Sequence, residues 1–202
     1  MVQKARTRDK RERILAAAVK VFAAKGFYCA RVSEVAREAG VADGTIYLYF
    51  SSKEEILRGL FEENMRRLID DLSSEIEKVS SNTDKMTRLV DSYCQFVHNE
   101  PQLTEVLTVE LRESGKFMNE FAAPLFGEYL RVIVDILEAG QKAGEFGTHY
   151  SARTVARAIF GALDELALSW VMSKSKWDLR ASGHELLGVF LHGICDPERV
   201  ET

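Results

Sequence analysis

The chain has 202 residues, 46% hydrophobic and 29% charged, with a formal net charge of −4. That composition suits one large or two small globular domains and excludes a disordered or fibrous chain. The longest stretch free of Asp, Glu, Lys and Arg, Leu186 to Cys195, is ten residues, too short to span a bilayer. Ile14–Val19 is apolar after a basic start, but Lys20 cuts the run and no cleavage-site pattern follows, so the cytoplasm is the expected location.

The charge is unevenly placed. Residues 1–58 hold 12 Lys/Arg against 7 Asp/Glu, and residues 59–202 hold 15 against 24, giving +5 and −9. A basic N-terminal quarter on an acidic body suits a protein whose first part meets a polyanion. Strand signals are almost absent, and about nine helices are expected.

The first helix covers roughly residues 8–25 and stops at Gly26, with Ile14, Ala18, Val21 and Phe22 on its buried stripe. Residues 33–53 then read as a short helix, a glycine turn and a second short helix. Ser33 is the expected N-cap, Val35, Ala36 and Ala39 form the apolar face, and Gly40 supplies a left-handed stop. Ala42 or Asp43 opens the second helix, which carries Thr45, Tyr47 and Tyr49 among Ile46, Leu48 and Phe50. Helices this short need the first helix as a third partner. A small helix-turn-helix bearing hydroxyls on its second helix is built to enter the major groove of DNA.

A long fourth helix follows over 53–79, with Leu57, Phe61, Met65, Leu68 and Leu72 at helical spacing. A fifth is expected at about 83–99, a sixth from Pro101 to about Ser114, and a seventh with Pro124 in its first turn. Ser151 caps an eighth helix that runs to about Ser173, and Asp178 caps a ninth that ends near Cys195. The eighth is apolar almost all round. The ninth has a broad face of Leu186, Leu187, Phe190, Leu191 and Ile194, with Gly183, Gly188 and Gly193 for close approach. The pair predicts a homodimer formed through the last two helices; the alternative is an ordinary monomer core. The expected division is a DNA-binding domain over 1–52 and an effector-binding and dimerisation domain over 53–202.

Candidate chemistry is sparse. Cys29, Cys94 and Cys195 are far apart and odd in number, and His98, His149, His184 and His192 lack ligand spacing, so neither disulfide nor metal is expected. No Cys/His or Ser/His/Asp grouping points to catalysis, which weakens a thioester-handling enzyme as an alternative. The second part carries more apolar surface than a minimal fold needs. Phe96, Leu107, Leu111, Leu125, Tyr129, Phe160, Leu163 and Trp170 could line a pocket or fill a solid core. Glu110 falls inside the apolar stripe of the sixth helix, where a carboxylate needs a partner. Arg153 and Arg157, one turn apart, could grip phosphates or face solvent.

The runs Ile14-Leu15-Ala16-Ala17-Ala18, Phe22-Ala23-Ala24-Lys25-Gly26-Phe27, Val35-Ala36-Arg37-Glu38-Ala39-Gly40-Val41, Gly44-Thr45-Ile46-Tyr47-Leu48-Tyr49-Phe50 and Ser52-Lys53-Glu54-Glu55 closely resemble the DNA-binding domain of TetR-type transcriptional repressors. Weaker similarity runs over the whole chain. The segments 42–50, Glu110-Leu111-Arg112-Glu113-Ser114 and Ile159-Phe160-Gly161 with Asp164-Glu165 and Trp170-Val171-Met172 look like FadR-type repressors of fatty-acid degradation.

The resemblance implies an all-α, TetR-like fold with no cofactor and a pseudo-palindromic double-stranded operator. It also implies long-chain acyl-CoA as the effector that releases the repressor. An efflux-type repressor answering another hydrophobic molecule is the alternative. Carried onto this chain, it implies DNA contacts from Gly44, Thr45, Tyr47 and Tyr49, a phosphate contact from Lys53, and backbone contacts from Arg31, Val32 and Ser33. Asp43 is a departure, assigned to N-capping away from the DNA.

Overall fold

The computed structural model describes residues 2–113, 123–174 and 176–195, of which residues 2–8, 110–113, 194 and 195 are described by backbone only. Among the described residues there are nine helices and no strand: α1 (Val2–Lys25), α2 (Val32–Ala39), α3 (Asp43–Ile46), α4 (Lys53–Ile76), α5 (Asn82–Asn99), α6 (Pro101–Glu113), α7 (Ala123–Ala143), α8 (Ala152–Met172) and α9 (Leu179–Cys195). The chain divides into two compact units, one of residues 1–64 and 102–122, the other of 65–101 and 123–202. The division falls inside α4 and assigns α6 after Pro101 to the first unit. No helix among the described residues is long and apolar enough to cross a membrane.

In the first unit, α1 packs on α2 and α2 on α3. Ile14, Ala18, Phe22, Val35, Ala36 and Ile46 are buried to within about 1% of completely, and each large member contributes roughly 1.5–3 kcal/mol of hydrophobic stabilisation. Polar contacts tie α1 to α2 along its whole length. Lys25 meets Glu34 at 2.5 Å and Lys20 meets Glu38 at 2.9 Å. Arg13 Nη2 donates to the Ala39 carbonyl at 2.7 Å, at the C-terminal end of α2, where a cation complements the helix dipole.

Gly40 ends α2 with φ 64° and ψ 40°, the left-handed stop read from the sequence. The other end of α2 differs from expectation. Arg31, not Ser33, occupies the N-cap position, and the Glu34 carboxylate accepts the Arg31 N–H at 3.0 Å. A carboxylate three residues into the helix takes the orphan donor that a capping hydroxyl leaves unserved. Asp43 likewise is the first residue of α3, with Ala42 at its N-cap and no side-chain capping bond there. Its N-capping role is therefore not what the structure gives, although an acid in a first turn still suits the dipole. At α4, Ser52 Oγ accepts the Glu55 N–H at 3.2 Å, and Glu55 accepts the N–H and Oγ of Ser51 at 2.5 and 2.6 Å.

In the second unit α5 lies against α7, α8 and α9, and α8 against α7 and α9. Leu89, Val90, Val97, Ile133, Leu137, Ile159, Leu163 and Ala167 make its core. Gly183 is the residue that lets α9 approach α5, since a Cβ there would stand 2.8 Å from Val90 Cγ1 and 3.0 Å from Cys94 Sγ. Gly188 and Gly193 face open space instead. Asp91 pins the same pair of helices, accepting from Arg180 Nε at 2.7 Å and lying 2.8 Å from His184 Nε2. Burial disfavours its charge, but these partners outweigh that and hold the carboxyl below its ordinary value.

Side chains cap both α5 and α9, the latter by Asp178 as expected. Ser81 Oγ accepts from Asp84 N at 3.0 Å, and Asp178 Oδ1 accepts from Ala181 N at 2.9 Å. Ser151 holds the N-cap position of α8, but its side chain makes no capping bond. A cap absent from the sequence reading comes from Glu145. Its carboxylate accepts the N–H groups of Asn82 and Thr83 at 2.8 and 3.1 Å, and Asn82 Nδ2 at 2.8 Å. Burial opposes the charged form, and these hydrogen bonds outweigh it to place the carboxyl below its usual range. The ionised carboxylate therefore contributes stability above the unfolded value that is lost as pH falls through the lowered one. Glu145→Ala is expected to lower stability at neutral pH by about 1 kcal/mol, the scale of a lost helix cap. In urea titrations the gap from wild type narrows below about pH 4; a gap that is constant with pH contradicts the assignment.

Candidate functional site

The turn into α3 and the residues behind it form one surface of the first unit. Ile46 and Phe50 are buried, which faces their neighbours outward. Tyr47 is 58% exposed and Leu48 81%, while Thr45 and Tyr49 are half-buried. A Cβ built on Gly44 meets nothing within 4 Å, so the backbone there is open to a partner. Arg31 and Ser33 are exposed and Val32 half-buried at the start of α2. Tyr28, in the preceding turn, is 62% exposed and was not singled out from the sequence. Its signal there is weak, because an aromatic after Phe27 reads as more core.

Lys53 is placed differently from its companions. Its Nζ donates to the carbonyls of Phe27, Tyr28 and Ala30 at 2.6, 3.0 and 3.1 Å, and lies 4.5 Å from the centroid of the Phe27 ring. An ammonium has three N–H donors, and all three are occupied.

Several other cations of the basic quarter are also engaged. Arg11 pairs with Glu63 at 2.5 Å, Arg58 with Glu62 at 2.7 Å, and Arg13, Lys20 and Lys25 hold α2. The local charge surplus is thus partly structural.

In the second unit the expected pocket residues separate into two groups. Tyr129 and Leu163 are almost fully buried, and Leu125 nearly so. Phe160 sits among Phe126, Tyr129 and Tyr93, with ring centroids 4.8, 5.8 and 6.2 Å away and edge-to-face geometry. Tyr93 donates its hydroxyl to Asp164 Oδ1 at 3.2 Å. Burial is the first cause raising both tyrosine hydroxyls well above their usual value. At the other end of α8, Trp170 donates Nε1–H to the Trp177 carbonyl at 2.9 Å, and Lys176 covers its ring at 4.2 Å.

Trp170 and Phe96 belong to a groove of about 930 Å³ that also takes in Arg67, Asp71, Arg88, Asp91, Glu100 and Arg180. Its polar rim joins residues far apart in sequence, so no motif announced it. Arg153 and Arg157 are exposed on α8 and lie outside that groove. Leu107 is half-buried in α6 of the first unit, and the side chains of Glu110 and Leu111 lie outside the described residues. Among the described residues no His, Cys, Asp and Glu side chains cluster as metal ligands. Cys29 is exposed, whereas Cys94 is buried and its thiol pushed up to about 11, chiefly by that burial.

Two large apolar side chains of α8 and α9 stand uncovered. Met172 on α8 is 68% exposed and Val189 on α9 71%. Leu168, Val171, Leu186, Phe190 and Leu191 beside them are only half-covered.

A short helix-turn-helix with an exposed hydroxyl-bearing turn, joined to a helical unit with surplus apolar surface, defines a ligand-responsive DNA-binding regulator. Residues 14–60 match the family described as bacterial regulatory proteins, tetR family, and residues 61–193 match the family described as YsiA-like protein, C-terminal region. The chain belongs to the TetR family of transcriptional regulators, and it acts by binding DNA, not as an enzyme.

Among its relatives, the fatty acid metabolism regulator protein of Bacillus subtilis (strain 168) is 34% identical over 187 residues, covering 93% of this chain and 96% of its own. The crystal structure of the transcriptional regulator FadR from Bacillus subtilis in complex with stearoyl-CoA is similar at a TM-score of 0.85 and 34% identity, over 91% of this chain and 98% of that one. The fatty acid degradation regulator FadR from Bacillus halodurans gives 0.84 and 35%, over 90% and 98%.

Because Tyr47 is mostly exposed, its removal leaves the core intact. Tyr47→Ala is expected to weaken binding to a duplex selected from a random pool by more than tenfold, the scale of one lost base contact. Its thermal unfolding should stay within a few degrees of wild type. Gel-shift affinity equal to wild type contradicts the assignment.

Proposed function

We propose that this chain is a homodimeric repressor of fatty-acid degradation genes that leaves its operator when a long-chain acyl-CoA binds. One observation carries the reading: the likeness to a regulator crystallised with stearoyl-CoA runs through both units and nearly the full length of both chains. A helix-turn-helix match alone would support DNA binding and nothing about the ligand.

The chemistry of the second unit is consistent with an acyl guest. Each methylene withdrawn from water contributes roughly 0.8 kcal/mol, so a long chain binds wherever an apolar lining admits it. Phe96, Leu125, Tyr129, Phe160, Leu163 and Trp170 remain the proposed lining within the second unit. Arg153 and Arg157 stand exposed, where the weakly hydrated guanidinium can take phosphate oxygens in bidentate fashion.

The uncovered face of Met172 and Val189 supports a second copy as its cover. A two-fold dimer presents two recognition helices to half-sites one helical turn apart, about 34–36 Å. The ligand acts by binding better to the arrangement that does not fit this spacing. The reading places the protein in the cytoplasm, with its operator.

The test follows anisotropy of a labelled duplex bound to the protein. Stearoyl-CoA is expected to release the DNA at far lower concentration than CoA alone. The double substitution Arg153→Ala/Arg157→Ala is expected to raise the stearoyl-CoA concentration needed about tenfold, as loss of charge-assisted contacts predicts, without changing the response to stearate. Release by hydrophobic cations and none by stearoyl-CoA would establish the efflux-type alternative instead.

A further inference from the structure

We propose that Leu48 reads thymine: its side chain packs on the 5-methyl group of a thymine in the major groove, and so fixes part of the sequence this protein selects. Leu48 belongs to an apolar alternation with Ile46 and Phe50, which are buried at 0% and 3% exposure. Leu48 itself is 81% exposed, the most uncovered large apolar side chain among the described residues. A single exposed leucine is ordinary on a protein surface. The position of this one is what argues for a partner.

Its backbone is fixed in place. Leu48 N–H donates to the Thr45 carbonyl at 3.2 Å, and the N–H groups of Tyr49 and Phe50 donate to the Ile46 carbonyl at 2.9 and 3.0 Å. The helical path of α3 thus runs on through Leu48, with the buried Ile46 and Phe50 anchoring the inner face. At 3.6 residues per turn, Leu48 stands about 200° round from Ile46, on the outer face. Gly44, one turn earlier, shares that face, and a Cβ there meets nothing within 4 Å. Leu48 and the exposed Tyr47 therefore form the open side of the recognition turn.

Chemistry decides what such a side chain can recognise. Leucine has no donor or acceptor, so it holds no phosphate and reads no hydrogen-bonding edge. The major groove offers it one apolar group, the C5 methyl of thymine. The hydroxyls of Thr45 and Tyr47 suit the polar base edges and the phosphates, which leaves the methyl to Leu48. Withdrawal of both apolar groups from water is the driving force. The inference rests on the DNA-binding reading of this patch, and it adds a residue outside the contacts implied from the sequence.

The test uses the full-length protein and a duplex selected from a random pool, each thymine being replaced in turn by deoxyuridine. That exchange removes the methyl and keeps the hydrogen-bonding edge. Wild type is expected to lose about fourfold in affinity at one thymine of each half-site, the value of one methyl group withdrawn from water. Leu48→Ala is expected to bind the thymine and uracil duplexes equally there, and Leu48→Met, which keeps an apolar reach, to retain the penalty. Leu48→Gln, similar in length, replaces Leu48→Ala should that variant fail to fold. Comparing protein variant and base change in one cycle removes any effect of uracil on the duplex itself.

A penalty in Leu48→Ala equal to that of wild type at every thymine overturns the proposal. So does a wild type indifferent to every uracil, or a selected sequence with no thymine common to its half-sites. A wild-type protein that bound no duplex at all would count against the DNA-binding reading, whereas tight binding with uracil in place of every thymine would count against Leu48 alone.

Discussion

Everything in the first unit depends on holding α2 and α3, which have eight and four residues. Isolated helices of that length do not persist in water. α1 supplies the missing stability to α2 twice over, through the apolar seam in which Ile14, Ala18 and Phe22 are buried with Val35 and Ala36, and through polar contacts at both ends of α2. Each exposed ion pair contributes little by itself. Their value is directional, because Arg13 at Ala39, Lys20 at Glu38 and Lys25 at Glu34 fix the register of α2 on α1. The price is paid in cations: charges counted in the sequence as available for DNA are partly engaged in building the platform that meets it. What remains outward is a patch of hydroxyls and backbone around residues 44–49, flanked by Arg31 and Ser33.

Helix existence and order were legible in the sequence because long apolar stripes and glycine stops act locally. α5 to α9 begin and end within a residue or two of the periodic pattern, and α4 ends at Ile76 instead of Val79. The misreadings share one cause. Ser33 looked like the cap because hydroxyls usually are, yet Glu34 reaches back to Arg31 and moves the helix start. Asp43 looked like a cap and is one position too late. Lys53 shows its charge in the sequence but not its carbonyl partners, twenty-three to twenty-six residues earlier. Glu145 on the N-terminus of α5 is the same case at a separation of over sixty residues. Long-range polar contacts leave no periodic trace.

The second unit carries two apolar surpluses of different kind. One is internal, the edge-to-face cluster of Tyr93, Phe126, Tyr129 and Phe160, of which the sequence reading named Tyr129 and Phe160 as lining. The other is external, the face of α8 and α9 around Met172 and Val189. Periodicity foresaw both, since a helix apolar on every side must bury more than one face. It could not separate them, and it assigned Gly188 and Gly193 the close approach that Gly183 alone of the three makes on α5. The groove beside Trp170 was invisible to pattern altogether, being assembled from α4, α5 and the turn before α9.

The central claim is that the outward patch at residues 44–49, with the start of α2, docks on a duplex. Hydrogen exchange of the free and duplex-bound protein tests it most directly. The account predicts that DNA slows exchange at the amides of residues 31–33 and 43–49, with the buried core of α5 and α7 unchanged. Protection confined to the second unit, with residues 43–49 exchanging as in the free protein, would contradict it.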